Sequence, residues 1–323
     1  MYSYQVVRFD EPARLNQVDI PSIRSNTVMI EIKACALNFA DLLMATGKYQ
    51  DTPTPPFTMG LELAGKVTEL GAGVDPELLG KRVAAFSGHG GLAEFAVIPA
   101  ERCVPLPDNM SFNDAAAFQI AYGTSHVALD HKARLQPGET LLVLGASGGV
   151  GLTAVEIGKL MGARVIACAR GAEKLDVARK AGADHLIDSE TQNIRDEVLA
   201  LGGADVVYDP IGGDQFTAAF RACNPDARIL VIGFASGTLP EIKPNHLLVK
   251  NISLLGLYWG GYMKFAPHVV TDSMKQLFKW YENGDLRPHI SHTFPLEQTA
   301  EALETLRTRK STGKIVVEIG QRG

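Results

Sequence analysis

From residue 27 to residue 37 the chain reads TVMIEIKACAL, with apolar and polar positions alternating. That pattern predicts a half-buried β-strand, because successive strand side chains point to opposite faces. Shorter runs follow in LAGKVTELGAGV, KRVAAFS and LAEFAVIP, punctuated by glycine and proline. Residues 1 to about 120 therefore read as a compact, barrel-like β domain. Near residue 112 the pattern changes to helical periodicity in FNDAAAFQIAYGTSHVALDHKA. Six apolar runs then alternate with amphipathic segments: 140–146, 163–169, 184–188, 204–210, 227–234 and 252–258. Uninterrupted apolar strands separated by helices predict a parallel sheet covered on both faces, a doubly wound α/β arrangement. After the helical run SMKQLFKWYENGDL, the last apolar stretch, KIVVEI, has no place in a completed six-stranded sheet. It is expected to return to the first domain.

The length of 323 residues fits two domains. A net charge of −5 argues against a broad basic surface for nucleic acid. No uncharged apolar run approaches the ~20 residues needed to span a bilayer, and the start, MYSYQVVRFDEP, has no signal-peptide pattern. The four cysteines, Cys35, Cys103, Cys168 and Cys223, are far apart and form no CxxC, which fits neither a disulfide framework nor a four-cysteine zinc site. These features lead us to expect a cytoplasmic protein with no membrane partner, and they argue against nucleic acid as its main partner.

The most specific motif is LLVLGASGGVGLTAVEIGKLMGARVIACARGAEK, residues 141–174. Ala146, Gly148 and Gly151 fill the three places of GxGxxG, with alanine at the first, in a strand–turn–helix–strand setting. Gly148 would let the backbone approach a pyrophosphate, and Gly151 would let the helix pack closely on its strand. Ser147, Gly148, Gly149 and Val150 are the expected phosphate contacts, at a helix N-terminus with free N–H groups. An NAD enzyme usually has an acid at the end of the second strand. Here Arg170 stands there and Lys174 follows four residues on. Two cations suit a 2′-phosphate, so NADPH is the expected cofactor. The alternative is that both are solvated surface charges, and Glu173 weakens the field.

The stretches LNFADLLMATGKY, PFTMGLELAGKVTELGAGV, GASGGVG, KAGADHLID, DVVYDPIGG, GFASG and GKIVVEI occur in that order almost end to end. In them the chain resembles the zeta-crystallin-like quinone oxidoreductases, a zinc-free branch of the medium-chain dehydrogenase/reductase superfamily. The resemblance implies an α/β fold with a GroES-like β-rich catalytic domain (residues 1–122 and 287–323) and a doubly wound Rossmann cofactor domain (residues 123–286). It implies hydride transfer from NADPH to a quinone or another conjugated carbonyl, and a homodimer joined through an edge strand such as 253–258. Zinc-dependent relatives carry GHE and an upstream cysteine. Here Leu61 and Asn38 stand in those places, and neither is a zinc ligand of consequence, so no metal is expected.

Hydride arriving at a conjugated carbonyl leaves negative charge on oxygen, which donors or a proton source must neutralise. Asn38 and Tyr49 are the expected donors. Asp41 would order them, its own proton-donating role being doubtful for an ordinary, ionised aspartate. Local sequence supports a plainer reading as well: Asn38 as N-cap of a helix FADLLMAT, with Asp41 in its first turn and Gly47 as its stop. By matching, Thr124 falls near the nicotinamide. Gly233, Phe234 and Ala235 form a ring-binding loop, and Leu257 and Tyr258 flank the ring. For Phe234 and Tyr258, core or dimer packing is the rival. Lys314 is expected either to reach a cofactor phosphate or to be solvated. Two further readings stay open: reduction of the activated C=C bond of an enal, enone or enoyl thioester, and a non-catalytic crystallin-like or RNA-binding role.

Overall fold

A computed structural model describes residues 1–320. The chain divides into two compact units, Met1–Ile120 with Pro288–Gly323, and Ala121–Arg287.

The first unit is built on the eleven-residue strand Thr27–Leu37. Along one edge it pairs antiparallel with Glu62–Leu70, which continues to Arg82–Phe86 and Cys103–Pro105. Its other edge is shared: Phe95–Pro99 takes residues 27–31, and Lys314–Glu318 takes residues 34–37. The alternation read in the sequence holds over residues 30–33, where Ile30 and Ile32 are buried and Glu31 and Lys33 half-exposed, whereas Val28 and Met29 are both buried. Each such burial contributes roughly 1.5–3 kcal/mol relative to exposure. Alternation stops at residues 34–37, all of them buried. A three-stranded sheet of Arg14–Gln17, Tyr2–Val6 and Phe57–Thr58 completes the unit.

Ile290–Pro295 also forms a strand, parallel to Lys314–Glu318. Its polar residues and terminal Pro295 are compatible with a strand at this sheet edge, because an edge strand tolerates what a central one does not.

The second unit holds one parallel sheet in the order His185–Asp188, Arg164–Ala169, Thr140–Leu144, Ala204–Asp209, Cys223–Val231, Ser253–Gly256. The chain winds outward from Thr140–Leu144 in one direction and then in the other. This places the topological switch point between Thr140–Leu144 and Ala204–Asp209, where open α/β sheets bind their ligands at the carboxyl ends of the strands.

Strands expected to end at 146, 234 and 258 end at Leu144, Val231 and Gly256, and two departures are larger. Cys223–Val231 begins four residues earlier than 227, although Pro225 and Asp226 (φ 63°) carry turn signals; a register shift between Ala204 and Val206 absorbs the irregularity. The alanine-rich helical run breaks into Phe112–Ala116, Gln119–His126 and a π-helical turn Val127–Lys132. Alanine packs equally well on every face, so its periodicity does not mark such breaks.

Candidate active site and cofactor loop

The register of the first unit brings three distant segments together. Ile315 faces Leu37 and Glu62 faces Ala36, so Lys314 and Glu62 both arrive beside Asn38. The Lys314 ammonium donates to Leu37 O (2.9 Å), Asn38 Oδ1 (2.7 Å) and Glu62 Oε1 (2.9 Å). Asn38 Nδ2 donates to the same Glu62 oxygen at 2.9 Å and more weakly to Ala36 O at 3.4 Å. Glu62 Oε2 accepts the Ile120 N–H at 2.9 Å. Glu62 is 1% exposed and Lys314 5%.

This corrects the expectation for Lys314. It is neither solvated nor directed at a phosphate, since its three donors are spent inside the first unit. The physical reason is Glu62: a buried carboxylate requires a cation and full hydrogen bonding. The comparison with the metal motif drew attention to Leu61 and Asn38 and passed over Glu62. The available signal was its place in LELAG, where an acid lies amid apolar neighbours.

Asn38 has extended backbone angles at the start of the helix Phe39–Met44. The Asp41 carboxylate reaches back to the Asn38 N–H at 2.8 Å. The expected helix start is present, but the Asn38 amide is also part of the Lys314–Glu62 network. Asp41 is fully buried, and burial raises its pKa to about 7; Glu62 adds to the rise, while Lys314 and the Asn38 and Gly60 N–H groups oppose it. Burial thus moves the titration of Asp41 out of the range of an ordinary aspartate and towards neutral pH. Tyr49 is half-buried and packs against the same core. Cys35 lies against this cluster as a buried thiol, its pKa pushed well up by desolvation and by the charges of Asp41 and Glu62.

Asp41 makes stability depend on pH. With a folded value near 7 and an unfolded value near 4, it holds its proton in the folded chain where the unfolded chain has lost it. Its contribution is complete below about pH 4 and is lost as pH rises through about 7. Glu156, buried against the Tyr122 hydroxyl (2.6 Å), is raised to about 7 and acts in the same direction. Asp41→Asn removes the slope that Asp41 contributes. Denaturant titrations should show the variant gaining about 4 kcal/mol on the wild type between about pH 4 and pH 8. Parallel pH profiles would contradict the buried carboxyl.

In the second unit residues 147–150, Arg170, residues 233–235, Leu257 and Tyr258 follow the carboxyl ends of parallel strands, while Thr124 lies on the helix Gln119–His126 and Lys174 on the helix Gly171–Lys180. Thr140–Leu144 runs into Gly145 (φ 57°), and the helix Gly149–Leu160 begins after Gly148. A Cβ at Gly151 would lie 2.2 Å from Gly145 O, whereas at Gly148 the nearest atom would be 3.4 Å away. Gly151 is thus required by packing, and Gly148 leaves its surroundings open. The first-turn N–H groups of that helix have no intrahelical partners, and no side chain caps them.

Arg170 follows the strand Arg164–Ala169. Its side chain is 42% exposed, and Glu190 Oε1 lies 4.0 Å away. Lys174 is half-buried one helical turn on. Ser147 and Thr124 are buried. Gly233, Phe234 and Ala235 follow Cys223–Val231, and Leu257 and Tyr258 follow Ser253–Gly256. Phe234 is exposed, which excludes the core reading for it. Asp209 shapes its turn, accepting the Ile211 and Gly212 N–H groups. Asn38, Asp41, Tyr49 and Lys314 belong to one unit, and the cofactor candidates to the other.

The alcohol dehydrogenase GroES-like domain family matches residues 24–108, and the zinc-binding dehydrogenase family matches residues 149–280. The residues around Asn38 do not fit a zinc ion. Of the two carboxyls there, Glu62 is paired with an ammonium and Asp41 holds the Asn38 N–H, and among the described residues no three His, Cys, Asp or Glu side chains converge. Over 306 residues the chain is 40% identical to the quinone oxidoreductase-like protein 2 homolog of Nematostella vectensis, covering 93% of this chain and 84% of that one. It is similar to the quinone oxidoreductase of Thermus thermophilus, solved also in complex with NADPH: TM-score 0.88, 30% identity, 98% of this chain and 100% of that one. It is similar as well to the CurK enoyl reductase, with TM-score 0.88, 26% identity and 99% of each chain covered.

Proposed function

The chain belongs to the zinc-free quinone oxidoreductase family of medium-chain dehydrogenases/reductases, and on that footing we propose that it transfers hydride from NADPH to a quinone. The observation that carries the reading is the loop after Thr140–Leu144. A close-packed Gly151, an open Gly148 and uncapped helix N–H groups form an anion site, and Arg170 stands at the end of the next strand. In that setting the N–H groups of Gly149 and Val150 and the hydroxyl of Ser147 hold the pyrophosphate. Arg170 and Lys174 hold the 2′-phosphate. Thr124, the Gly233–Ala235 turn, Leu257 and Tyr258 bound the nicotinamide. When bound, the cofactor supplies the hydride. The protein's own task is to hold the acceptor and meet the charge developing on its oxygen.

Asn38 and Tyr49 are the groups we assign to that task. One Asn38 amide hydrogen is held by Glu62, but the other makes only the 3.4 Å contact to Ala36 O. That hydrogen is the one offered to substrate. Asp41 anchors the Asn38 backbone, and its burial, which raises its pKa to about 7, lets it gain or release a proton near neutral pH. The likeness to an enoyl reductase favours a second reading on the same scaffold, hydride delivery to an activated C=C bond. A panel of quinones, enals, enones and enoyl thioesters separates the two.

Fluorescence titration tests the cofactor. Wild type should bind NADPH at least tenfold more tightly than NADH, a difference of about 1.4 kcal/mol, and Arg170→Ala should erase most of it. Equal wild-type affinities would sink the assignment.

Among the described residues no helix is long and apolar enough to cross a membrane. The proposal places the protein in the cytoplasm, which its free cysteines suit. It also includes a homodimer. Ser253–Gly256 is a sheet edge, and Leu248 and Val249 on the preceding helix are each 77% exposed. Such a surface is a template for a second copy.

A further inference from the structure

We propose that Lys314 is the built-in cation of the acceptor site, strengthening through the Asn38 amide the hydrogen bond given to the substrate oxygen. It is a positioning residue, because its own donors never meet the substrate. The inference rests on the assignment of Asn38 as substrate donor.

Three observations carry it. First, the ammonium sits on the oxygen end of the amide, 2.7 Å from Asn38 Oδ1. A charged donor there draws electron density towards oxygen and leaves the NH₂ hydrogens more positive, the cooperative strengthening expected of linked hydrogen bonds. Second, the ammonium is held in place. Leu37 O and Glu62 Oε1 take its other two donors, and it is 5% exposed. A fixed, desolvated charge acts more strongly than a mobile, solvated one. Third, Glu62 balances the charge overall but not in direction. It accepts one Asn38 hydrogen, orients the amide plane, and leaves the second hydrogen against the 3.4 Å Ala36 contact.

Zinc at a comparable place would polarise the acceptor directly. Here the cation polarises it one amide removed. Asn38 and Lys314 are 276 positions apart and are brought together by the pairing of Lys314–Glu318 with residues 34–37. The electrostatics of the site depend on a residue in the last strand.

The test uses the full chain in four forms: wild type, Lys314→Arg, Glu62→Gln, and the charge-balanced pair Lys314→Met with Glu62→Gln. Turnover is measured with NADPH and a naphthoquinone, and the Asn38 side-chain amide protons are followed by NMR in selectively labelled protein. The balanced pair should lose about tenfold in kcat, keep its KM for NADPH, and move the amide resonances upfield. Lys314→Arg should keep the wild-type amide shifts and at least about a third of kcat, because a cation still sits on Oδ1.

A balanced pair with wild-type kcat overturns the proposal. So does a loss of kcat with unmoved amide resonances, which would mark a purely structural residue. If the pair fails to fold, Lys314→Arg decides alone: a change in the amide shifts and a tenfold loss would overturn it. If wild type reduces no quinone and no enone, the functional reading fails, and the NMR arm still decides whether Lys314 polarises Asn38.

Discussion

Lys314→Met alone should destabilise the protein by about 3–5 kcal/mol, the cost of breaking a buried ion pair by removing one partner. Lys314 and Glu62 are 2.9 Å apart and almost wholly buried. Without the ammonium, Glu62 remains desolvated, Leu37 O and Asn38 Oδ1 lose a donor, and the charge has no other cation bonded to it among the described residues. Adding Glu62→Gln should restore more than half of the loss, since a neutral amide needs no counter-charge and its oxygen can still accept the Ile120 N–H. The measurement is a double-mutant cycle in denaturant. Additive losses in the two single variants, with no recovery in the pair, would mean that the two charges are not coupled.

Gly151→Ala should cost about 3 kcal/mol of stability and roughly a hundredfold in NADPH affinity. The added methyl would stand 2.2 Å from Gly145 O and within 3.0 Å of Ala146, where backbone rather than a flexible side chain is in the way. The helix must lift from its strand, carrying the N–H groups of Gly149 and Val150 away from the pyrophosphate position. Gly148→Ala meets its nearest atom at 3.4 Å, so it should fold normally and lose affinity only through the ligand. Comparing the two by thermal melts and fluorescence titration separates packing from binding. A Gly151→Ala protein as stable as wild type would contradict the close approach.

Most of the fold was legible because its signals are local. The run TVMIEIKACAL predicted its strand to the residue. The six apolar runs of the second unit predicted all six parallel strands, since apolar content and length do not depend on distant partners. The turn residues 145–151 were legible because a glycine requirement is a backbone property. What escaped depends on register between segments far apart in sequence. Lys314 in KIVVEI looks like any lysine before a strand, and only the pairing of that strand with residues 34–37 brings it to Asn38. The Asp41 pKa escaped for the same reason: its cause is burial, and burial is tertiary. Ile290–Pro295 was hidden because an edge strand beside Lys314–Glu318 needs few β-forming residues.

Hydride transfer from NADPH to a conjugated carbonyl acceptor without a metal, the activity proposed above, can be followed in a single reaction. The most direct measurement mixes wild-type protein, in chelator, with NADPH deuterated at the transferring position of the nicotinamide and a naphthoquinone or an enone, in the absence of oxygen. The account predicts one NADPH oxidised per acceptor reduced, a slowed rate with the deuterated cofactor, and a much slower reaction with NADH. Tight NADPH binding with no acceptor reduced above the uncatalysed rate, or activity abolished by the chelator and restored by zinc, would contradict it.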